Sequence, residues 1–197
     1  MRKGDQTRER ILLRAARVFN EKGYTGASLA DIMKATGLEK GGIYNHFESK
    51  EKLALEAFDY SLQMIGKRFE RNLSGKTHAA DRLLGVVAVF DGYVEDPPVP
   101  GGCPVMNTAI DSDDGNPALR KRARQAMDWW RGLIVRTVAK GVERGELRRG
   151  ADPEEVASLM ISTVEGGIMM SKLYGDPVHV RRALGHLRRH IEKDLRA

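Results

Sequence analysis

Five side chains between positions 40 and 50 have the chemistry needed to bind DNA. Lys40 and Lys50 can pair with phosphate oxygens, and the Tyr44 hydroxyl and the His46 ring can donate hydrogen bonds to them. Asn45 carries an amide, which can pair bidentately with the edge of an adenine. Because they fall within 11 consecutive positions, these groups predict one compact surface that faces a nucleic acid.

Two adjacent glycines lie inside this stretch. Gly41 and Gly42 each cost a helix up to about 1 kcal/mol relative to alanine. Such a cost favours a partner that the backbone must approach closely, and DNA is such a partner. Three further residues complete the predicted set of DNA contacts: Thr25 and Ser28 through phosphate, and Glu39 through cytosine N4. Glu39 has a second interpretation, since a carboxylate there also complements the dipole of the following helix.

Short helices must position these side chains. A first helix is predicted over residues 7–22, and a second begins at Ser28, which forms a capping-box pattern with Asp31. Gly37 supplies the turn. The next helix, over residues 39–47, presents the polar face, and Ser49 can cap a long helix that follows. Two short helices joined by a glycine turn form a helix-turn-helix, which places its second helix in the major groove.

The rest of the chain also follows helical patterns. A break at residues 73–77 precedes a helix predicted over 79–95, then a Pro/Gly-rich interruption, a short helix over 103–110 and a turn over 111–116. Three later helices are predicted to begin at a polar residue followed by proline: Asn116-Pro117, Asp152-Pro153 and Asp176-Pro177. No strand pattern is present, so we expect an all-α fold of about nine helices. The predicted domains are 1–50 for DNA binding, 51–75 as a connecting helix, and 76–197 for effector binding and dimerisation.

The composition limits the class of protein. The 197 residues carry a formal charge of +6 and 41% hydrophobic residues, which describes a globular protein that could bind a polyanion. A single cysteine predicts a reducing, cytoplasmic setting. No apolar run reaches the roughly 18 residues of a membrane span. No catalytic constellation, metal site or cofactor motif is visible, so we expect a protein that is not an enzyme.

Residues 7–53 resemble the DNA-binding domain of the tetracycline-repressor (TetR) family of bacterial regulators. The resemblance is carried by the run from Thr36 to Leu53, TGLEKGGIYNHFESKEKL. It implies that six positions contact DNA: Lys40, Gly41, Tyr44, Asn45, His46 and Lys50. Two positions depart from the family pattern. Glu39 replaces a usual serine or threonine, and Asn45 replaces a usual aromatic residue or histidine, so the base that is read can differ there.

The resemblance also implies a C-terminal domain that forms a homodimer and binds a small-molecule effector. An apolar stripe on the last two helices is the predicted dimer surface: Val156, Met160, Thr163, Gly167, Met170, Tyr174, Leu184, Leu187 and Ile191. The predicted effector residues are mostly aromatic or apolar: Phe90, Tyr93, Cys103, Met106, Ile110, Trp130, Ile134, Glu165 and Met169. Glu165 has an alternative interpretation as a solvent-facing residue.

These patterns predict a ligand-responsive repressor that leaves a pseudo-palindromic operator when its effector binds. Two alternatives stay open. In the first, oxidation of Cys103 gates the regulator in place of a ligand. In the second, the chain is an all-α small-molecule-binding or catalytic protein, and its N-terminal bundle does not bind DNA.

Overall fold

A computed structural model describes residues 3–112 and 116–197 and shows an all-helical chain. The described residues form nine α-helices: α1 (Lys3–Gly26), α2 (Leu29–Thr36), α3 (Lys40–Tyr44), α4 (Lys50–Leu73), α5 (Ala79–Ala88), α6 (Pro104–Asp111), α7 (Pro117–Glu143), α8 (Pro153–Tyr174) and α9 (Val178–His190). A π-helical turn, Ile191–Leu195, follows α9 directly. Within the described residues the only β-type pairing is an isolated bridge between Leu147 and Arg196. The all-α prediction is confirmed.

The chain divides into two compact units. Unit 1 contains Met1–Ile65 and Pro98–Ala126, and unit 2 contains Gly66–Pro97 and Met127–Ala197. This division differs from the predicted domains at 1–50, 51–75 and 76–197. The sequence pattern could not reveal it, because α4 and α7 are continuous helices that each contribute residues to both units.

The core of unit 1 is built from the inward faces of α1 to α4. Ile11, Ile32 and Ile43 are fully buried there, one each from α1, α2 and α3. Phe47 and Leu53 extend the same core into the start of α4. Each of these side chains contributes roughly 1.5–3 kcal/mol by leaving water, so the short α2 and α3 are held mainly by packing.

Asparagine side chains join α6 to α1 within unit 1. Asn20 is buried, and its Nδ2 donates to the carbonyl oxygens of Pro100 (2.8 Å) and Gly102 (3.0 Å). Asn107 of α6 donates in return to the Asn20 Oδ1 at 2.9 Å. One helical turn further on, Asp111 Oδ2 accepts from the Tyr24 amide at 2.7 Å. These bonds explain why residues 98–126 belong with the N-terminal helices.

The polar-residue-plus-proline pattern predicts two helix starts correctly and is one residue early at a third. Asn116 Oδ1 accepts from the Leu119 amide at 3.0 Å, and Asp152 accepts from the Glu154 amide at 2.8 Å. In the third case α9 begins at Val178, and Asp176 Oδ1 accepts from the Val178 amide at 2.8 Å. Pro177 lies at the N-cap of that helix.

Several predicted boundaries need correction. α1 begins at Lys3, four residues before the predicted start, whereas the predicted end at residue 22 is confirmed by Gly23, whose non-helical geometry (φ 74°, ψ 166°) breaks the helix before its last short turn. α3 covers only Lys40–Tyr44, which is shorter than the predicted 39–47. α5 ends at Ala88, well short of residue 95, because the amides of Val89 to Asp91 bond to carbonyls three residues back and tighten the chain into turns. Residues 113–115 of the predicted turn over 111–116 lie outside the described residues.

Unit 2 contains an aromatic cluster and a helix pair. The rings of Phe90 and Trp130 stack at 5.1 Å, and Phe69 meets Trp129 edge to face at 5.2 Å. In the helix pair, α8 packs against α9, and α5 packs against α9 and the π-helical turn. Among the described residues, no helix is both long and apolar enough to cross a membrane.

Candidate nucleic-acid interface and effector domain

A capping box fixes the start of α2. The Ser28 Oγ accepts from the Asp31 amide at 3.1 Å, and Asp31 Oδ2 accepts from the Ser28 amide at 2.9 Å. Asp31 also forms an ion pair with Lys22 of α1. These hydrogen bonds, that from Lys22 first, hold the pKa of the Asp31 carboxyl well below its usual range. The cap therefore persists throughout the neutral pH range.

The turn between α2 and α3 sets the direction of α3. Gly37 has left-handed geometry (φ 69°, ψ 22°), and its amide donates to the Met33 carbonyl. On the inward side of α3, Ile43 is fully buried. Because this one side chain anchors the short helix to the core, the opposite face of α3 must point to solvent.

The outward face carries most of the predicted DNA contacts. Glu39, Lys40, Gly41 and Asn45 are exposed, and Lys40 Nζ lies 6.0 Å from the centroid of the Tyr44 ring. The remaining predicted residues are placed as follows: Thr25 is exposed at the end of α1, and Gly42, Tyr44 and His46 are half-buried. Glu39 occupies the N-cap of α3 but forms no side-chain cap, which leaves its carboxylate available to another group.

The fold gives no internal reason for Gly41. A Cβ atom at this position would meet no atom within 4 Å, and its φ is not positive. At Gly42 a Cβ would make ordinary contact with Leu38, 3.5 Å away. Alanine would thus fit both positions and favour the helix. The fold therefore supplies no packing or backbone reason for either glycine.

Two predicted phosphate contacts already have partners within the chain. Lys50 Nζ donates to the Tyr24 carbonyl at 2.8 Å and lies 4.5 Å from the centre of the Tyr24 ring. The Ser28 hydroxyl donates its proton to Asp31 Oδ2 at 2.7 Å. A cation at the C-terminal end of α1 and a hydroxyl at the start of α2 both stabilise the free ends of those helices. Of the two lysines, Lys40 is exposed, whereas Lys50 is half-buried and already hydrogen-bonded within the chain.

Sequence profiles of known families match both parts of the chain. A profile described as "Bacterial regulatory proteins, tetR family" matches residues 11–57. A second, "Tetracyclin repressor-like, C-terminal domain", matches residues 79–187, more than half of the chain. The chain belongs to the TetR family. It is accordingly a DNA-binding transcriptional regulator.

Known relatives agree with this placement. The chain is 47% identical to a TetR transcriptional regulator from Chloroflexus aurantiacus J-10-FL, with a TM-score of 0.94 and coverage of 100% of this chain and 99% of that one. It is 24% identical to the transcriptional repressor DhaR of Mycobacterium sp. strain GP1, over 84% of this chain and 82% of that protein. It shares the fold of CifR, solved as a cysteine mutant with 26-bp operator DNA (24% identity, TM-score 0.78, coverage 94% and 95%).

The structure distributes the predicted effector residues over both units of this TetR-family chain. In unit 2 Phe90, Tyr93, Trp130, Ile134 and Glu165 are all buried, which corrects the solvent-facing alternative for Glu165. Cys103 is buried and Met106 half-buried in unit 1. Two residues are corrected: Ile110 is 72% exposed and Met169 is 47% exposed, so neither lines an enclosed pocket of its unit.

Most of the predicted dimer residues turn out to belong to the chain's own core. Val156, Met160, Gly167, Leu184, Leu187 and Ile191 are buried where α8 packs against α9 and α9 against α5. A Cβ at Gly167 would lie 2.8 Å from the Ala183 Cβ, so this glycine permits the close approach of α9. Thr163 is half-buried, whereas Met170 and Tyr174 are exposed and stay candidates.

Sequence reasoning identified only part of the apolar surface that α8 presents to solvent: it assigned Met170 and Tyr174 to the dimer surface but missed Leu173. Leu159 and Leu173 are 41% and 71% exposed, and Met169, Met170 and Tyr174 are exposed with them. The sequence did indicate an exposed apolar face, because α8 is apolar on more than one side. A helix of that kind must pack against another surface on more than one side. The inward stripe has the more regular helical spacing, and for that reason the pattern favours it.

The structure gives little support to the alternative in which oxidation of Cys103 controls the regulator. Cys103 is 3% exposed at the N-cap of α6, and a thiol that senses oxidants must be accessible. In the described parts of the chain, no three His, Cys, Asp or Glu side chains are grouped so that they could hold a metal ion.

Proposed function

We propose that the chain is a homodimeric repressor that binds a pseudo-palindromic operator and leaves it when a small-molecule effector binds. The observation that carries the DNA contact is the outward face of α3, where Lys40, Gly41 and Asn45 are exposed and the glycine has no internal role. It acts by binding rather than by catalysis, and its place of action is the cytoplasm.

The proposed DNA contacts are of two kinds: some position the protein on the duplex, and others read the base sequence. Lys40, Tyr44, His46 and Lys50 contact phosphate and set the register of the protein on the duplex. Lys50 can do so only by exchanging its contact with the Tyr24 carbonyl for phosphate. Gly41 and Gly42 let the backbone approach the groove, and Thr25 lies beside it on α1. Asn45 reads a base edge, and the uncapped Glu39 carboxylate is the second candidate reader.

A homodimer follows from this mode of reading, because one short helix contacts too few base pairs and two-fold operators are read by pairs. The exposed apolar residues of α8, chiefly Leu159, Met169 and Leu173, form the partner surface. Burial of such a patch between two copies removes it from water, and this removal is the main driving force of stable association.

The effector site that we propose lies in the aromatic cluster of unit 2. Trp130 is 5% exposed, and its Nε1 has no hydrogen-bond acceptor among the described residues. A buried donor without an acceptor costs roughly 1–3 kcal/mol, which an effector with a suitably placed oxygen would recover. To drive release, the effector must bind the state that does not fit the operator more tightly than the state that does.

A gel shift with the DNA upstream of the protein's own coding region tests the DNA contact. The double variant Lys40→Ala, Tyr44→Ala should bind on the order of a hundredfold more weakly, and its salt slope should fall by about two per dimer, one for each lysine. Lys67→Ala removes an exposed cation from unit 2 and is the control, which should bind like the wild type. Unchanged binding by the double variant would refute the assignment.

Effector binding needs a separate experiment. Small hydrophobic and cationic compounds would be screened for those that raise the melting temperature and release the operator. Trp130→Phe keeps the stacking with Phe90 but removes the indole N–H, so it should bind operator normally and respond to the compound more weakly. A full response by this variant would move the effector site away from Trp130.

A further inference from the structure

Unit 2 contains a groove of about 350 Å³ whose lining is strongly cationic. One wall comes from the segment between α4 and α5 and the start of α5, and the other from the C-terminal half of α7 and the residues after it. Five lining residues carry a positive charge: Lys76, Arg82, Arg136, Lys140 and Arg144. We call this the cationic groove.

The single acid in the lining does not balance these charges. Glu146 Oε2 accepts from the Ala79 amide at 2.7 Å and so caps α5. Its Oε1 lies 3.9 Å from Arg144, a distance at which the ion pair is weak. Within the described residues, Arg136 and Lys140 have no ion pair or hydrogen bond, so at least two cations of the groove lack a counter-charge.

The spacing on α7 makes the arrangement unfavourable for the isolated chain. Arg136 and Lys140 lie four residues apart on α7, and Arg144 follows at the same interval just after the helix ends, which brings like charges together. The helix dipole can favour a cation only in the last turn, which includes Lys140 but not Arg136. Arg82 is outside α7 altogether, and its Nη1 is held by the Lys76 carbonyl at 3.1 Å.

We propose that the cationic groove binds a small multivalent oxyanion, a polyphosphate or a polycarboxylate. Arginine offers a planar pair of donors to either group, and lysine adds a compact charge. A groove with cations on two walls can surround a small anion, whereas a long polyanion is usually bound by an extended basic surface. The size of the groove is within the range of small-molecule sites. This site is separate from the DNA contacts and from the aromatic cluster proposed for the effector.

Calorimetric titration of the full-length protein with inorganic triphosphate, and separately with citrate, tests the proposal at a fixed, near-physiological ionic strength. We expect saturable binding of at least one of the two anions, and the preferred one tells whether phosphate or carboxylate is recognised. Arg136→Gln plus Lys140→Gln should weaken that binding about tenfold or more. Both side chains are exposed, so the variant should keep its fold, which thermal unfolding would verify.

Lys67→Gln plus Arg71→Gln is a matched control. These two cations also lie four residues apart on an exposed helix face of unit 2, and they do not line the groove. The control removes the same net charge and should leave the affinity unchanged. Equal weakening by both double variants would show a general charge effect and overturn the proposal. So would the absence of saturable binding by either anion.

Discussion

Glycines in α3 and α8 look alike in the sequence but have opposite roles in the structure. Gly41 has open space above it on an exposed polar face. Gly167 faces α9, with the Ala183 Cβ 2.8 Å from where its own Cβ would be. The sequence alone does not distinguish these two cases, because the packing that explains Gly167 is absent at Gly41.

The outer faces of the two helices differ in the same way. α3 turns charged and amide groups to solvent, whereas α8 exposes Leu159, Met169 and Leu173. Polar groups in a shallow array suit a partner that is itself polar, and an apolar stripe suits another apolar surface. The comparison supports the proposal that α3 contacts DNA and that α8 contacts a second copy of the chain.

Charged substitutions on the exposed apolar face of α8 should have the largest effect, and this effect should be on dimer formation. Met169→Glu plus Leu173→Glu would place two charges in the proposed dimer surface, and we expect self-association to weaken on the order of a hundredfold or more. Sedimentation velocity measures the dimer fraction, and operator affinity should fall with it. Leu13→Glu changes an exposed leucine of α1 and serves as the control. A double variant that stays fully dimeric would contradict the assignment of this face.

A substitution on the inner face of α8 should have a smaller effect, and that effect should be on the stability of the fold. Gly167→Ala forces α8 and α9 apart, because the added methyl group meets Ala183 and the backbone of Val180. Overpacking of this kind should lower the free energy of unfolding by about 1–3 kcal/mol, measured in urea. At the neighbouring Gly166 a Cβ meets no atom within 4 Å, so Gly166→Ala should not destabilise the protomer. Equal losses in the two variants would show that contact with α9 is not the cause.

Gly41→Ala should give the smallest change. It should stabilise the fold but weaken operator binding. Alanine favours α3, so the free energy of unfolding should rise by up to about 1 kcal/mol. Operator affinity should fall about tenfold, a loss of roughly 1.4 kcal/mol, because the methyl group keeps the backbone away from DNA. Urea unfolding and a gel shift on the same preparation would measure both. If affinity is unchanged, the glycine is not needed for approach to DNA.

The helix-turn-helix was predictable because its determinants are local. The Ser28–Asp31 capping box and the left-handed turn at Gly37 depend on residues three or four apart, and both predictions are confirmed. The buried face of α2 and α3 follows from helical spacing, as Ile32 and Ile43 show. Helix ends were less predictable, since the C-cap of α5 is Val89 and not a proline or glycine.

The contacts of long sequence separation could not be predicted. Nothing in the chain marks Asn20 as the residue that holds α6 through Asn107, 87 positions away. The same is true of the Lys50 contact with the Tyr24 carbonyl, which occupies a side chain predicted to contact phosphate. Asparagine and lysine are ordinary surface residues in any helix, and only their neighbours in space give them these roles.

The sequence by itself determined the helices, their caps and the polar face of α3, because these depend on short-range spacing and backbone geometry. Only the tertiary structure decided which side of α8 is core and which is surface, since an apolar stripe has the same period whether it packs on α9 or on a partner. The tertiary structure also brought Arg82 to the α7 cations of the groove, where their charges meet. Electrostatic interactions and burial depend on distances in space, and the order of residues along the chain does not specify these distances.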